Sequence, residues 1–192
     1  MTDEPRVERP DIPGYGIPEE IEGALPWWWA RERLERATVY WVATVRPDGG
    51  PHLMPTWGAW VNDRFWMEGS PGTRRFRNLA GNPRTAVSIQ DGRDTVIVEG
   101  IAEEAAGPVP ELVMRLVAGF AKYRASDDYD ADPANWASEG LWAVRPTIAF
   151  GWSAYPVDAT RWRFAAGMTA GQPRGEAAAH GPGEGDAGRN AS

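Results

Sequence analysis

The chain has 192 residues, 42% hydrophobic and 24% charged, an ordinary globular composition with enough length for one domain and its core. It has no cysteine, which excludes disulfide frameworks and thiolate metal sites, and its net charge of -7 argues against nucleic acid or an anionic membrane as a general partner. No apolar run approaches the roughly 20 residues of a membrane helix, and the charged start "MTDEPRVERPD" carries no apolar signal region, so a soluble cytoplasmic protein is expected.

Residues 1–26 are rich in proline and acid, lack periodicity, and read as an N-terminal arm. Pro26 opens a helix over "WWWARERLERA", where Trp27, Ala30 and Leu34 share one stripe. "TVYWVATV", Thr38 to Val45, reads as a strand, and "RPDGG" as a tight turn. The return strand runs Pro51 to Val61, with its prolines marking an edge or a bulge. Alternation puts Met54, Thr56, Gly58 and Trp60 on one face and Leu53, Pro55, Trp57 and Ala59 on the other. Both faces are largely apolar, so both should be covered. Arg64 to Glu68 completes a three-stranded meander.

Thr73 to Gly81 has helical character and is stopped by Gly81 and Pro83. Thr85 to Gln90 and Asp94 to Glu104 read as strands. Pro110 starts a helix whose buried stripe is Leu112, Leu116 and Phe120, with Val113 and Val117 beside them. Gly119 costs that helix up to about 1 kcal/mol. Asp127 to Pro133 is an acidic loop. Leu141 to Trp152 is one strand, or a pair broken at Pro146, and Thr160 to Phe164 is the last. From 167 to 192 glycine, alanine and small polar residues dominate, which reads as a disordered tail. The core domain therefore spans 27–166. Seven strands with three helices predict a mainly β, α+β fold, a small barrel with helical covers. The 11 tryptophans call for large aromatic surfaces: a core, a subunit interface or a flat ligand.

No side-chain nucleophile, general base or metal cluster stands out. His52 is the only histidine before the tail, and neither a phosphate loop nor a dinucleotide fingerprint is complete. What remains is "SPGTRRFRNLAGNPR", Ser70 to Arg84, a basic knot in an acidic chain. Arg74, Arg75 and Arg77 follow a glycine-containing loop at a helix start. Guanidinium forks, the Thr73 hydroxyl and free backbone N–H groups together suit a phosphate. The competing reading is a solvated helix face paired with carboxylates.

The ordered series "ATVRPDGGPH", "PTWGAW" and "RNLAGNPR", within a match from about Ala37 to Phe164, resembles the pyridoxamine 5′-phosphate oxidase-like split-barrel superfamily. Within it the chain looks most like the flavin/deazaflavin-dependent oxidoreductases of the actinobacterial B group. The resemblance implies a split β-barrel of the FMN-binding type, a homodimer with the cofactor groove at the subunit interface, and coenzyme F420 or, alternatively, FMN. By that match Ser70, Thr73, Arg74, Arg75 and Arg77 meet the cofactor phosphate, and Arg84 or Arg93 extends the basic groove. Met54, Pro55, Thr56 and Trp57 flank the ring, and Trp152, Arg161 and Trp162 form a wall from the partner subunit. The family often has lysine at the position of Arg75, where arginine supplies a fork instead of a point charge.

A cofactor that carries the chemistry explains why no catalytic side chain stands out. The function implied is hydride transfer from F420 to a small electron-poor substrate. The alternatives are an FMN-dependent oxidase or reductase, or a non-enzymatic binder of flavin, deazaflavin or haem.

Overall fold

The computed structural model describes residues 4–91, 93–105, 107–136 and 140–165. The tail expected at 167–192 lies outside them. Among the described residues nine strands form one antiparallel, barrel-like sheet, and α-helices cover it, so the fold is a split barrel of the α+β class.

The strands are β1 (Arg6–Glu8), β2 (Tyr40–Val45), β3 (Pro51–Thr56), β4 (Ala59–Val61), β5 (Arg64–Glu68), β6 (Arg84–Asp91), β7 (Asp94–Glu104), β8 (Leu141–Trp152) and β9 (Thr160–Arg163). The main path runs β1-β9-β8-β7-β6-β2-β3, and the β4–β5 hairpin joins through β8. The organiser is β8. Along one side it pairs with β7 from Trp142 to Trp152. Along the other, Leu141–Val144 pair with β5 and Ile148–Gly151 pair with β9. Pro146 therefore does not break β8. The register instead shifts between Glu99 and Gly100 opposite Pro146, a bulge that accommodates a residue with no N–H to give. At that point Gly100 has no room for a side chain, because a Cβ would stand 2.3 Å from the Arg145 carbonyl oxygen.

The expected meander is broken. The stretch from Pro51 to Val61 is two strands, separated at Trp57–Gly58. The first stays at the sheet edge beside β2, and the second crosses to pair with β5. Packing at Gly58 is the cause: a Cβ there would lie 2.2 Å from the Phe65 ring and 2.6 Å from the Trp66 carbonyl oxygen. The edge position also corrects the expectation that both faces are covered, since Leu53 is 55% and Met54 48% exposed.

Four α-helices are present among the described residues: α1 (Trp27–Arg36), α2 (Arg74–Gly81), α3 (Pro110–Phe120) and the short α4 (Arg124–Asp127). Strand alternation feeds two cores. Trp60, Phe65, Met67, Trp142 and Val144 join Trp27, Trp29, Ala30 and Leu34 of α1 in the barrel core. Ala59, Trp66, Leu141 and Ala143 point the other way and meet Leu116, Phe120, Tyr123 and Trp136. Gly119 marks the tightest approach of α3 to the sheet, where a Cβ would be 2.9 Å from that of Ala59. Residues from the N-terminal 26 pack on the barrel. β1 pairs with β9, Glu8 bridges Arg161 at 2.6 Å, and the Leu25 N–H donates to Thr160 Oγ1 at 2.8 Å.

Candidate functional site

The break at Gly58 builds the site. There the Tyr123 hydroxyl accepts the Gly58 N–H and donates to the Gly58 carbonyl, each at 3.0 Å. Burial raises the Tyr123 phenol to about 12, so it stays protonated and keeps both bonds across the neutral range. This clasp fixes the backbone just after Trp57. The indole stacks on the Tyr123 ring at 5.1 Å and lies 5.3 Å from that of Tyr129, yet stays 40% exposed. An open groove of about 460 Å³ results, lined by Val39, Pro55, Thr56, Trp57, Glu68, Gly69, Phe120 and Tyr129.

Three of the four residues expected to flank a ring, Pro55, Thr56 and Trp57, thus line one groove. Met54 precedes them on the same strand and is exposed, but is not part of the lining. Val39, Phe120, Tyr129 and Glu68 were not legible as site residues. Glu68 alone left a trace, as the one acid closing an apolar strand just before the "GSPG" loop.

Glu68 and Gly69 carry the groove to the basic segment. The Ser70 carbonyl accepts the Thr73 N–H at 3.0 Å, and α2 begins when the Arg77 N–H reaches the Thr73 carbonyl at 3.1 Å. The N–H groups of Arg74, Arg75 and Phe76 therefore have no helical acceptor. The Thr73 hydroxyl makes no capping bond. Phe76, Asn78 and Leu79 face the core, which leaves Arg74 and Arg77 exposed and Arg75 half-buried. Among the described residues, Arg74, Arg75 and Arg77 form no ion pair, whereas Arg33, Arg64, Arg115, Arg124, Arg145 and Arg161 do. This finding weighs against the carboxylate pairing in the competing reading, while the exposure of Arg74 and Arg77 agrees with its solvated helix face. The Nε of Arg75 is buried without a partner, and desolvation lowers its pKa. A buried cationic donor with nothing to bond is costly unless an anion completes it. These residues fit a phosphate.

His52 joins the same cluster. Its Nδ1 lies 3.3 Å from Thr44 Oγ1, which accepts from Asn78 of α2 at 2.9 Å. Desolvation, then Arg46, Arg74 and Arg75, hold the imidazole below its ordinary pKa.

Other expectations need correction. Trp162 is fully buried, and its Nε1 donates to the Leu25 carbonyl at 3.1 Å, so it is a core residue and can wall no ligand. Arg161 is engaged with Glu8 of the arm. Trp152 ends β8 with its ring 5.4 Å from that of Tyr155, outside this chain's own groove; the wall expected of it is one supplied across a subunit interface. Arg93 sits in the hairpin turn at the far end of β6 from α2, so it does not extend the basic segment.

The chain is thus a split barrel in which arginines without ion pairs, at a helix start, adjoin an aromatic groove. Residues 30–136 match the family model described as pyridoxamine 5′-phosphate oxidase, and the chain belongs to that family. Among solved structures it is similar to the conserved hypothetical protein Rv2991 from Mycobacterium tuberculosis, with 20% identity and a TM-score of 0.55, over 68% of this chain and 86% of that one. It is also similar to a protein described as an F420 reductase, with 27% identity and a TM-score of 0.48, over 62% and 94%. An FAD-binding protein from Mesorhizobium loti shares 15% identity with a TM-score of 0.50, over 73% and 96%. The first and third of these similarities show the fold. Comparison with curated proteins finds no match.

Proposed function

We propose that the protein is an oxidoreductase that uses coenzyme F420 for hydride transfer to a small, electron-poor organic substrate. The observation that supports this is the union of two features: unpaired Arg74, Arg75 and Arg77 at the start of α2, and the aromatic groove that adjoins them. Arg75 would hold the phosphate end of the cofactor, with Arg74 and Arg77 adding charge and Thr73 a hydroxyl. Pro55, Thr56 and Trp57 would receive the ring. The cofactor supplies the hydride when bound; the chain binds, orients and excludes water. Trp57, Phe120 and Tyr129 do the last of these by lining the groove with aromatic surface.

The groove is open on one side, and the neighbouring outer face of β2–β3 exposes Trp41 (44%) and Leu53 (55%). Exposed aromatics and apolar residues at a sheet edge are what a subunit interface covers. We assign this face to a second copy of the chain, which would close the cofactor groove.

FMN shares the flat ring and the phosphate, so both cofactors are tested together. Fluorescence titration of the purified protein should give F420 a Kd below about 100 μM and weaker binding of FMN. Tighter FMN binding would overturn the choice of cofactor. Binding of neither below about 100 μM would overturn the enzyme reading.

A further inference from the structure

Glu68 ends β5 in the wall of the aromatic groove. One carboxyl oxygen, Oε2, accepts the indole N–H of buried Trp136. Among the described residues no cation pairs with it, and Oε1 has no protein partner. No ion pair among the described residues holds it ionised. Asp132, on the segment leading to Trp136, repels a negative charge at Glu68. Arg75 lies beyond Gly69 with its own guanidinium part-buried. Across the sheet the partner position is Leu141, and α3 contributes Phe120 to the same wall, neither of which is charged. Tyr129 brings a phenol. Desolvation is the main cause that raises the carboxyl above its ordinary range, opposed by the Trp136 bond.

A ligand seated in this groove removes the water that solvates Oε1. An ionised, unpaired carboxylate would then be buried without water in an apolar, aromatic groove, which is unfavourable. A neutral acid in the same place becomes a hydrogen-bond donor. We propose that Glu68 binds the groove's ligand as a neutral carboxylic acid, anchored through Oε2 to Trp136 and donating its proton from Oε1 to an acceptor atom, a carbonyl oxygen or ring nitrogen, of the bound flavin or deazaflavin. Ligand binding then takes up a proton at Glu68. The inference rests on the proposed function, since it needs a flat ligand with acceptor atoms in the groove.

The test is the pH dependence of FMN and F420 binding to wild type, Glu68→Gln and Glu68→Ala, by fluorescence, with proton uptake measured calorimetrically in buffers of different ionisation heat. In wild type, affinity should fall about tenfold per pH unit above the Glu68 pKa, with uptake of about one proton. Glutamine is a permanent donor of the same shape, so Glu68→Gln should keep the low-pH affinity, lose that fall and take up no proton at this site. Glu68→Ala should bind about tenfold more weakly even at low pH. Any contribution from His52 is common to wild type and Glu68→Gln and cancels in their difference. Identical pH profiles for those two proteins, or a tenfold loss in Glu68→Gln at low pH, would overturn the proposal while leaving the cofactor reading intact. If neither cofactor binds wild type at any pH, the cofactor reading falls and this inference falls with it.

Discussion

Arg75 is placed where burial strips water from a guanidinium and supplies no carboxylate in exchange. Most arginines elsewhere in the described chain are paired, so this is a local arrangement and not a general scarcity of acids. Glu8 shows the contrast. Burial acts to raise its carboxyl, but hydrogen bonding and charge from Arg161 and Arg163 outweigh this and hold it below the ordinary range. Arg75 has no such counterpart. Replacing Arg75 and Arg77 together by alanine should weaken cofactor binding at least tenfold, because each charge-assisted bond contributes about 1.5–3 kcal/mol. Fold stability should change little, since neither side chain satisfies a carboxylate in the free protein. Urea unfolding alongside the titration separates the two effects. A parallel loss of stability would mean that the arginines serve the fold.

At the scale of elements, the separation of β3 from β4 and the docking of α3 decide the shape of the groove. Gly58→Ala should cost about 3 kcal/mol or more, because the added carbon meets a ring and a carbonyl that cannot both withdraw. A loss of unfolding free energy of less than about 0.5 kcal/mol in urea would contradict the packing described. The end of α3 also ties down α1. Lys122, the only lysine in the sequence, donates to the Tyr40 hydroxyl at 2.9 Å and to the Glu35 carbonyl at 3.2 Å. Burial brings its ammonium from 10.5 down to about 8. Between those values the unfolded chain binds more protons than the folded one, so stability rises with pH in that window. Near and above about pH 10, ionisation of the unfolded phenols opposes the rise, because burial raises Tyr40 and Tyr123 in the fold. Urea midpoints measured from pH 8 upward should increase in wild type and not in Lys122→Met. A flat wild-type profile would contradict the buried amine.

On the scale of the whole molecule, local signals and tertiary ones separate cleanly. The β6–β7 hairpin, the start of α1 at Pro26 and the basic start of α2 were legible because alternation, proline and glycine act within a few residues. The crossing at Gly58 was not, because its cause is Phe65 and Trp66 pressing on the backbone from another strand. The pairing of β1 with β9 was hidden for the same reason, as three residues carry no periodicity of their own. The basic half of the site was readable as one contiguous segment. Of its aromatic half only Pro55, Thr56 and Trp57 were readable, since Val39, Phe120 and Tyr129 come from three separate parts of the chain. Trp162 misled because an aromatic on a short strand can serve a core or a ligand wall, and only burial decides.

The exposed β2–β3 face gives the molecule-scale prediction: the protein should elute as a dimer. Leu53→Asp should shift it to monomer and weaken cofactor binding, with secondary structure unchanged by circular dichroism. A wild-type monomer that binds cofactor normally would contradict the shared groove.

The central claim is that the unpaired arginines and the aromatic groove together hold a phosphate-bearing flavin or deazaflavin. Its most direct test is a paired fluorescence titration of wild type and Arg75→Ala/Arg77→Ala with F420 and with FMN. Saturable wild-type binding of F420 below about 100 μM, weakened at least tenfold in the double variant, is the predicted result. Equal affinity of the two proteins, or no binding of either cofactor to wild type, would contradict it.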